Sequence, residues 1–139
     1  MDSPPQITSD VELAIERLGA LTDFEFGLDA RSVEWVDGFI LRQRERPGFD
    51  LDEVGGLVGV LGSFLGECIV AATDGHWHRD AETDQWCVRF PSGDQAYPYT
   101  KVWKCFEHGA EDSIASFYDI SVNYVAKGLL ARREPPQEH

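Results

Sequence analysis

The chain has 139 residues, of which 42% are hydrophobic and 12% aromatic, a composition that suits one packed domain and excludes a disordered chain. Its net charge of −13 disfavours binding to nucleic acid or to an anionic membrane, because both carry charge of the same sign. The same charge attracts basic protein surfaces.

No cationic stretch followed by an apolar run opens the sequence, and the three cysteines show no metal-binding spacing. We therefore expect free thiols, no cofactor and a cytoplasmic location. Proline-rich, polar sequence predicts flexible tails at residues 1–8 and 134–139, which leaves a single domain over residues 9–133.

Two helices are predicted in the first third of the chain. Ser9 and Glu12 have the spacing of a capping box, so the first helix is predicted to start at Ser9. Asp29 is predicted to cap a second helix, which ends near Arg46 ahead of a Pro-Gly pair.

The third predicted helix, from Asp50 to Thr73, is the most apolar segment of the chain. Asp50 and Glu53 again have capping-box spacing. Four glycines fall on one narrow stripe of this helix: Gly55, Gly59, Gly62 and Gly66. Because glycine weakens a helix interior, the stripe indicates that another element approaches the backbone closely. We expect a buried central helix, enclosed on all sides.

The following segment is rich in aromatic residues and turn signals. Three short strands are predicted to form an antiparallel meander: Gly75–Arg79, Gln85–Phe90 and Gln95–Tyr97. Thr100 is then predicted to cap a short helix that stops at Gly109, with a strand as the alternative, and a long C-terminal helix begins near Glu111. The predicted class is α+β, with helices around the glycine-striped helix.

Four short motifs carry a resemblance to known families. They are Leu61-Gly62-Ser63-Phe64-Leu65-Gly66-Glu67, Gly75-His76-Trp77, Tyr97-Pro98-Tyr99-Thr100-Lys101-Val102 and Glu111-Asp112-Ser113-Ile114. Their order is similar to bacterial domain families of unknown function, which carry an L-G-x-x-L-G-E helix, a G-x-W strand and a proline-led segment ending in Lys-Val. The resemblance covers less than half of the chain. It implies a bacterial, intracellular protein and supplies no activity.

One hypothesis makes the chain a small enzyme or a metal-dependent protein. Glu67 lies in an apolar segment, where a carboxylate either acts as a general acid or base or is held by structural partners such as a tryptophan N–H or Arg89. His76 and His78 share one face of a strand, so they are candidate metal ligands, with exposed histidines as the simpler alternative. The structural alternative is the better supported in both cases.

The other hypothesis, which the sequence favours, is a non-enzymatic protein-binding module, such as an adaptor or an immunity-type inhibitor of a basic protein. An aromatic centre with an acidic rim is the candidate binding surface: Trp77, Trp86, Tyr97, Tyr99, Asp80 and Asp84. Either a monomer or a homodimer packed through the glycine stripe is compatible with the sequence.

Overall fold

A computed structural model describes residues 3–129. Helix α1, Pro5–Gly19, begins four residues before the predicted start, with a proline in its first turn and Pro4 in the capping position. Proline suits the start of a helix because its fixed φ is helical and its missing N–H has no partner there. The prediction of a cap at Ser9 is therefore wrong. The predicted tail is also wrong for residues 5–8, since Ile7 is 2% exposed.

Helix α2, Ala30–Arg44, starts where the sequence predicts. The Asp29 carboxylate accepts a hydrogen bond of 2.8 Å from the backbone N–H of Ser32, and the predicted cap is confirmed. Val33, Val36 and Ile40 form the buried face of the helix.

Asp50 caps only a short 3-10 turn, Leu51–Glu53, in which its carboxylate accepts from the N–H of Asp52 at 3.0 Å. The long helix α3, Gly55–Ala72, follows with Val54 in its capping position. The predicted capping box therefore lies one turn too early. Asp50 and Glu53 have the spacing of a helix start, but they belong to the 3-10 turn that precedes α3.

Helix α3 is the centre of the fold over its second half. It contacts helices α1 and α2, the first two strands and the C-terminal helices, and residues 61–66 are fully buried. Residues 55–60, by contrast, are exposed or half-buried. The expectation of enclosure on all sides is wrong for this first half. At 18 residues and a mean hydropathy of 1.7, α3 is also long and apolar enough to cross a membrane, a property that core helices of soluble proteins share.

The three strands form the predicted antiparallel meander in the order β1-β2-β3. They are β1 His76–Asp80, β2 Gln85–Arg89 and β3 Gln95–Ala96. Trp77 pairs with Val88 on the face that packs on the helices, whereas His78 pairs with Cys87 on the outer face.

Helix α4, Pro98–His108, confirms the predicted helix over its alternative, a strand. Tyr97 rather than Thr100 occupies the capping position, and Pro98 begins the helix. The helix ends as predicted at Gly109, whose φ of +77° favours glycine. Arg44 of α2 packs there and donates from Nε to the carbonyl of Phe106 at 2.9 Å.

The last helix, α5, spans Ile114–Ile120 and continues as a π-helical turn over Ser121–Val125. Glu111 belongs instead to a 3-10 turn, Gly109–Asp112, because Ser113 is the residue that caps α5. The class is α+β, as predicted. The predicted tail at residues 134–139 lies outside the described residues.

Candidate functional site

The second half of the glycine stripe receives two aromatic rings. A Cβ placed on Gly62 would overlap the Tyr99 ring of α4, and one placed on Gly66 would overlap the Trp77 ring of β1. The two rings are neighbours, with centroids 6.1 Å apart. The prediction of close approach is confirmed here, although side chains rather than another backbone occupy the space.

A chain of hydrogen bonds lies beside these rings. Ser63 Oγ donates to the Asp10 carboxylate of α1 at 2.9 Å and lies 2.6 Å from Tyr99 Oη. The single hydroxyl proton of Ser63 is committed to Asp10, so Tyr99 donates to Ser63. Burial raises the pKa of Tyr99, which keeps this donor protonated. Since Ser63 is fully buried, the chain ties α1, α3 and α4 together rather than presenting a nucleophile.

Glu67 completes the same contact region. Its Oε1 accepts from Trp77 Nε1 at 3.0 Å and from Ser3 Oγ at 2.8 Å. The predicted hydrogen bond from a tryptophan N–H is therefore present, and Glu67 fixes the indole that packs on Gly66.

The remaining motif segments also make structural contacts. Lys101 Nζ lies 2.9 Å from the Asp112 carboxylate, which joins α4 to the turn before α5. Ser113 Oγ and the N–H of Ile114 donate to Asp37 of α2 at 3.1 and 2.9 Å. These contacts thus hold α2, α4 and the start of α5 together.

The two candidate metal ligands lie away from Glu67. His76 and His78 project from the outer face of β1, whereas Trp77 and its partner Glu67 lie on the helix-facing side. Among residues 3–129, no three His, Cys, Asp or Glu side chains lie together as a metal site requires. Glu67 and the histidines do not converge on one pocket.

The predicted aromatic–acidic surface is divided by the fold. Trp77 is 6% exposed and is therefore not presented to a partner, whereas Tyr99 is half-buried and its hydroxyl is engaged by Ser63. Trp86 is half-buried under Arg79, which also pairs with Asp84 at 2.8 Å. Trp86 and Asp84 therefore remain candidate contacts for a partner at the end of the sheet.

Tyr97 and Asp80 form a second polar cluster, on the outer face of the sheet. Tyr97 Oη donates to Asp80 Oδ2 at 2.7 Å and accepts from Gln95 Nε2 at 2.6 Å. The hydrogen bond to Asp80 raises the pKa of Tyr97 to about 12 and, in return, lowers the pKa of the Asp80 carboxyl.

The three cysteines are free and buried. Burial raises the pKa of Cys68 and Cys87, and it raises that of Cys105 to about 11. Because the thiolate is the reactive form, none of the three is an activated nucleophile.

The structure also contains a surface that sequence analysis missed, an open apolar groove of about 330 Å³ between α1 and the first half of α3. We call it the α1–α3 groove; it is lined by Leu13, Ala14, Arg17, Leu18, Gly56, Leu57, Val60 and Leu61. Leu13 is 40% exposed at its edge. A Cβ placed on Gly56 would meet no atom of residues 3–129 within 4 Å, so this wall of the groove is bare.

Comparison with protein-family profiles, curated proteins and solved structures gives no match.

Proposed function

We propose that this chain is a non-catalytic protein-binding module that holds a helical segment of its partner in the α1–α3 groove. The observation that supports this best is the incomplete burial of the first half of α3. Gly55 and Gly56 are exposed and residues 57–60 are only half-buried, although residues 61–66 of the same helix are fully buried. Grooves between packed helices are among the places where binding sites occur.

The shape of the groove favours a helix as the occupant. Its walls are two antiparallel helices, since Ser3 reaches Glu67 near the end of α3 while Leu18 lies beside Gly56 near the beginning. The wall that α3 contributes, from Gly56 to Leu61, is roughly 8 Å long at 1.5 Å per residue. Apolar residues at positions i and i+4 of a partner helix, roughly 6 Å apart, fit this length.

The enzyme hypothesis receives no comparable support within residues 3–129. The Glu67 carboxylate is engaged by two donors on the side of the sheet opposite His76 and His78. An adaptor or immunity-type inhibitor remains our proposal for the biological role, and the resemblance to bacterial families of unknown function remains a prediction.

The groove is tested with a neutral amphipathic helical peptide that carries leucine at positions i and i+4 and glutamine on its polar face. We expect NMR shift changes of the labelled protein to concentrate at Leu13, Leu57 and Val60. Gly56→Gln fills the groove and should reduce the affinity at least about tenfold, the cost of roughly 1.4 kcal/mol of lost contact. Gly55→Gln is the matched control, because Gly55 is equally open but does not line the groove.

Two results would contradict the proposal. One is equal affinity of the Gly56→Gln and Gly55→Gln variants, with both variants shown to be folded by circular dichroism. The other is a dimer, detected by light scattering, that dissociates only in Gly56→Gln, since a second copy would then be the occupant.

A further inference from the structure

The charges of the chain are distributed unevenly around the α1–α3 groove. Residues 3–30 and 47–78, which contain both helices of the groove and their flanking turns, hold eleven Asp and Glu residues but a single Lys or Arg, Arg17. The other eleven basic residues all lie elsewhere in the sequence. These two segments therefore account for −10 of the net charge of −13.

Acidic side chains stand next to the groove in both helices. On α1, Glu16 is exposed three residues after Leu13, so the two side chains are neighbours on the helix surface. On the approach to α3, Asp52 and Glu53 are exposed one turn ahead of Gly56. We call Glu16, Asp52 and Glu53 the acidic rim.

From the rim and the groove together we infer that the partner segment is a basic amphipathic helix. This inference rests on the proposed function and adds the chemistry of the partner to it. Leucine-like residues at i and i+4 enter the groove, and Lys or Arg on both flanks of that apolar face meet the acidic rim. An acidic helix with the same apolar face is repelled by the same residues, so the rim also provides specificity.

Arg17 makes it possible to test the sign of the partner's charge. It is exposed and lines the groove. This one positive charge opposes a basic partner and attracts an acidic one. Replacement by glutamine keeps a polar chain of moderate length and removes the charge.

The experiment uses three peptides with one apolar face, leucine at i and i+4, and a polar face made of lysine, glutamine or glutamate. Calorimetric titration into the full chain should rank them lysine, glutamine, glutamate, with at least about tenfold between the first and the last at low salt. The ratio should shrink at about 0.5 M salt, because exposed charges are then screened.

Substitutions distinguish the effect of the acidic rim on affinity from the effect of the overall net charge. Arg17→Gln should bind the lysine peptide about two- to fivefold more tightly and the glutamate peptide more weakly. Glu16→Gln combined with Glu53→Gln should weaken the lysine peptide by a similar factor or more. Glu82→Gln, in the exposed turn between β1 and β2, removes a carboxylate at a distance from the groove and should leave the affinity nearly unchanged.

The outcomes distinguish the two proposals. If the three peptides bind with equal affinity, or if Arg17→Gln weakens the lysine peptide, the basic partner is wrong while the groove remains a helix-binding site. If none of the peptides binds, the proposed function itself fails.

Discussion

Glu67 shows how the partners of a single carboxylate decide its role. The residue lies in the most apolar helix of the chain, where an unpaired charge would be costly. Trp77 and Ser3 both donate to its Oε1 atom, and the Trp77 ring packs against Gly66 one residue earlier in α3. The carboxylate therefore orients an indole in the core, which accounts for the glycine and the glutamate standing side by side in the L-G-x-x-L-G-E motif.

The Asp80–Tyr97 pair gives a prediction that belongs to single side chains. Asp80→Asn replaces a charged acceptor with a neutral one, so the pKa of Tyr97 should fall from about 12 toward its ordinary value of 10.0. The measurement is tyrosinate absorbance during an alkaline titration, with Tyr97→Phe subtracted to isolate this ring.

The sign of the linked stability follows from the raised pKa. The hydrogen bond stabilises the folded state fully below the ordinary pKa of 10.0, and its contribution is lost as the pH rises through about 12. The lowered pKa of Asp80 acts at the other end, where its contribution is lost as the pH falls below 3.8. A Tyr97 that titrates identically in the parent and in Asp80→Asn would refute the assignment.

At this scale the sequence reveals a residue's chemistry better than its orientation. The cost of an unpaired carboxylate predicts that Glu67 has a donor, and a tryptophan N–H is indeed that donor. Alternation along β1 predicts that Trp77 and the histidines lie on opposite faces. Whether Tyr99 faces inward was not predictable, because that depends on a space at Gly62 formed by packing α4 against α3.

Helix α3 carries one glycine stripe with two different environments. Gly66 lies against the Trp77 ring, whereas a Cβ on Gly59 would meet no atom of residues 3–129 within 4 Å. Gly66→Ala should therefore lower the free energy of unfolding by about 2 kcal/mol, since the buried ring must move. Gly59→Ala should raise it by about 0.5–1 kcal/mol, because alanine favours the helix and restricts the unfolded chain.

The two substitutions control for each other, because they place the same methyl group on the same stripe of one helix. Urea unfolding followed by circular dichroism provides both free energies. Destabilisation by Gly59→Ala comparable to that by Gly66→Ala would mean that the stripe is covered at Gly59 as it is at Gly66.

The elements themselves were largely predictable, but the starts of α1, α3, α4 and α5 were not. All three strands and the helices α2 to α5 follow from periodicity and turn residues. The capping-box pattern failed at Ser9 and at Asp50, since Pro5 already supplies a helical start in one case and a 3-10 turn uses the acidic residues in the other. The groove was missed because hydropathy alone does not reveal which half of an apolar helix its neighbours cover.

For the molecule as a whole, the charge pattern lowers the stability of the folded state. The groove-bearing segments, residues 3–30 and 47–78, concentrate carboxylates that repel one another once the chain is compact. The partner proposed above would relieve this repulsion on binding. Dissolved salt relieves it without a partner, because at about 0.1 M the screening length is only roughly 10 Å.

The melting temperature should therefore rise as the concentration of sodium chloride increases from about 10 mM to about 0.3 M. Sodium thiocyanate at about 0.1 M serves as the control, because it screens charge equally but does not strengthen apolar burial; a rise in both salts identifies screening as the cause. The double variant Glu16→Gln and Glu53→Gln should melt at a higher temperature in low salt and respond less to added salt. If the melting temperature of the parent chain is insensitive to salt, or falls as salt is added, the carboxylates of residues 3–30 and 47–78 do not destabilise the fold by repulsion. The proposed attraction of a basic helix to the acidic rim would then lose its main support.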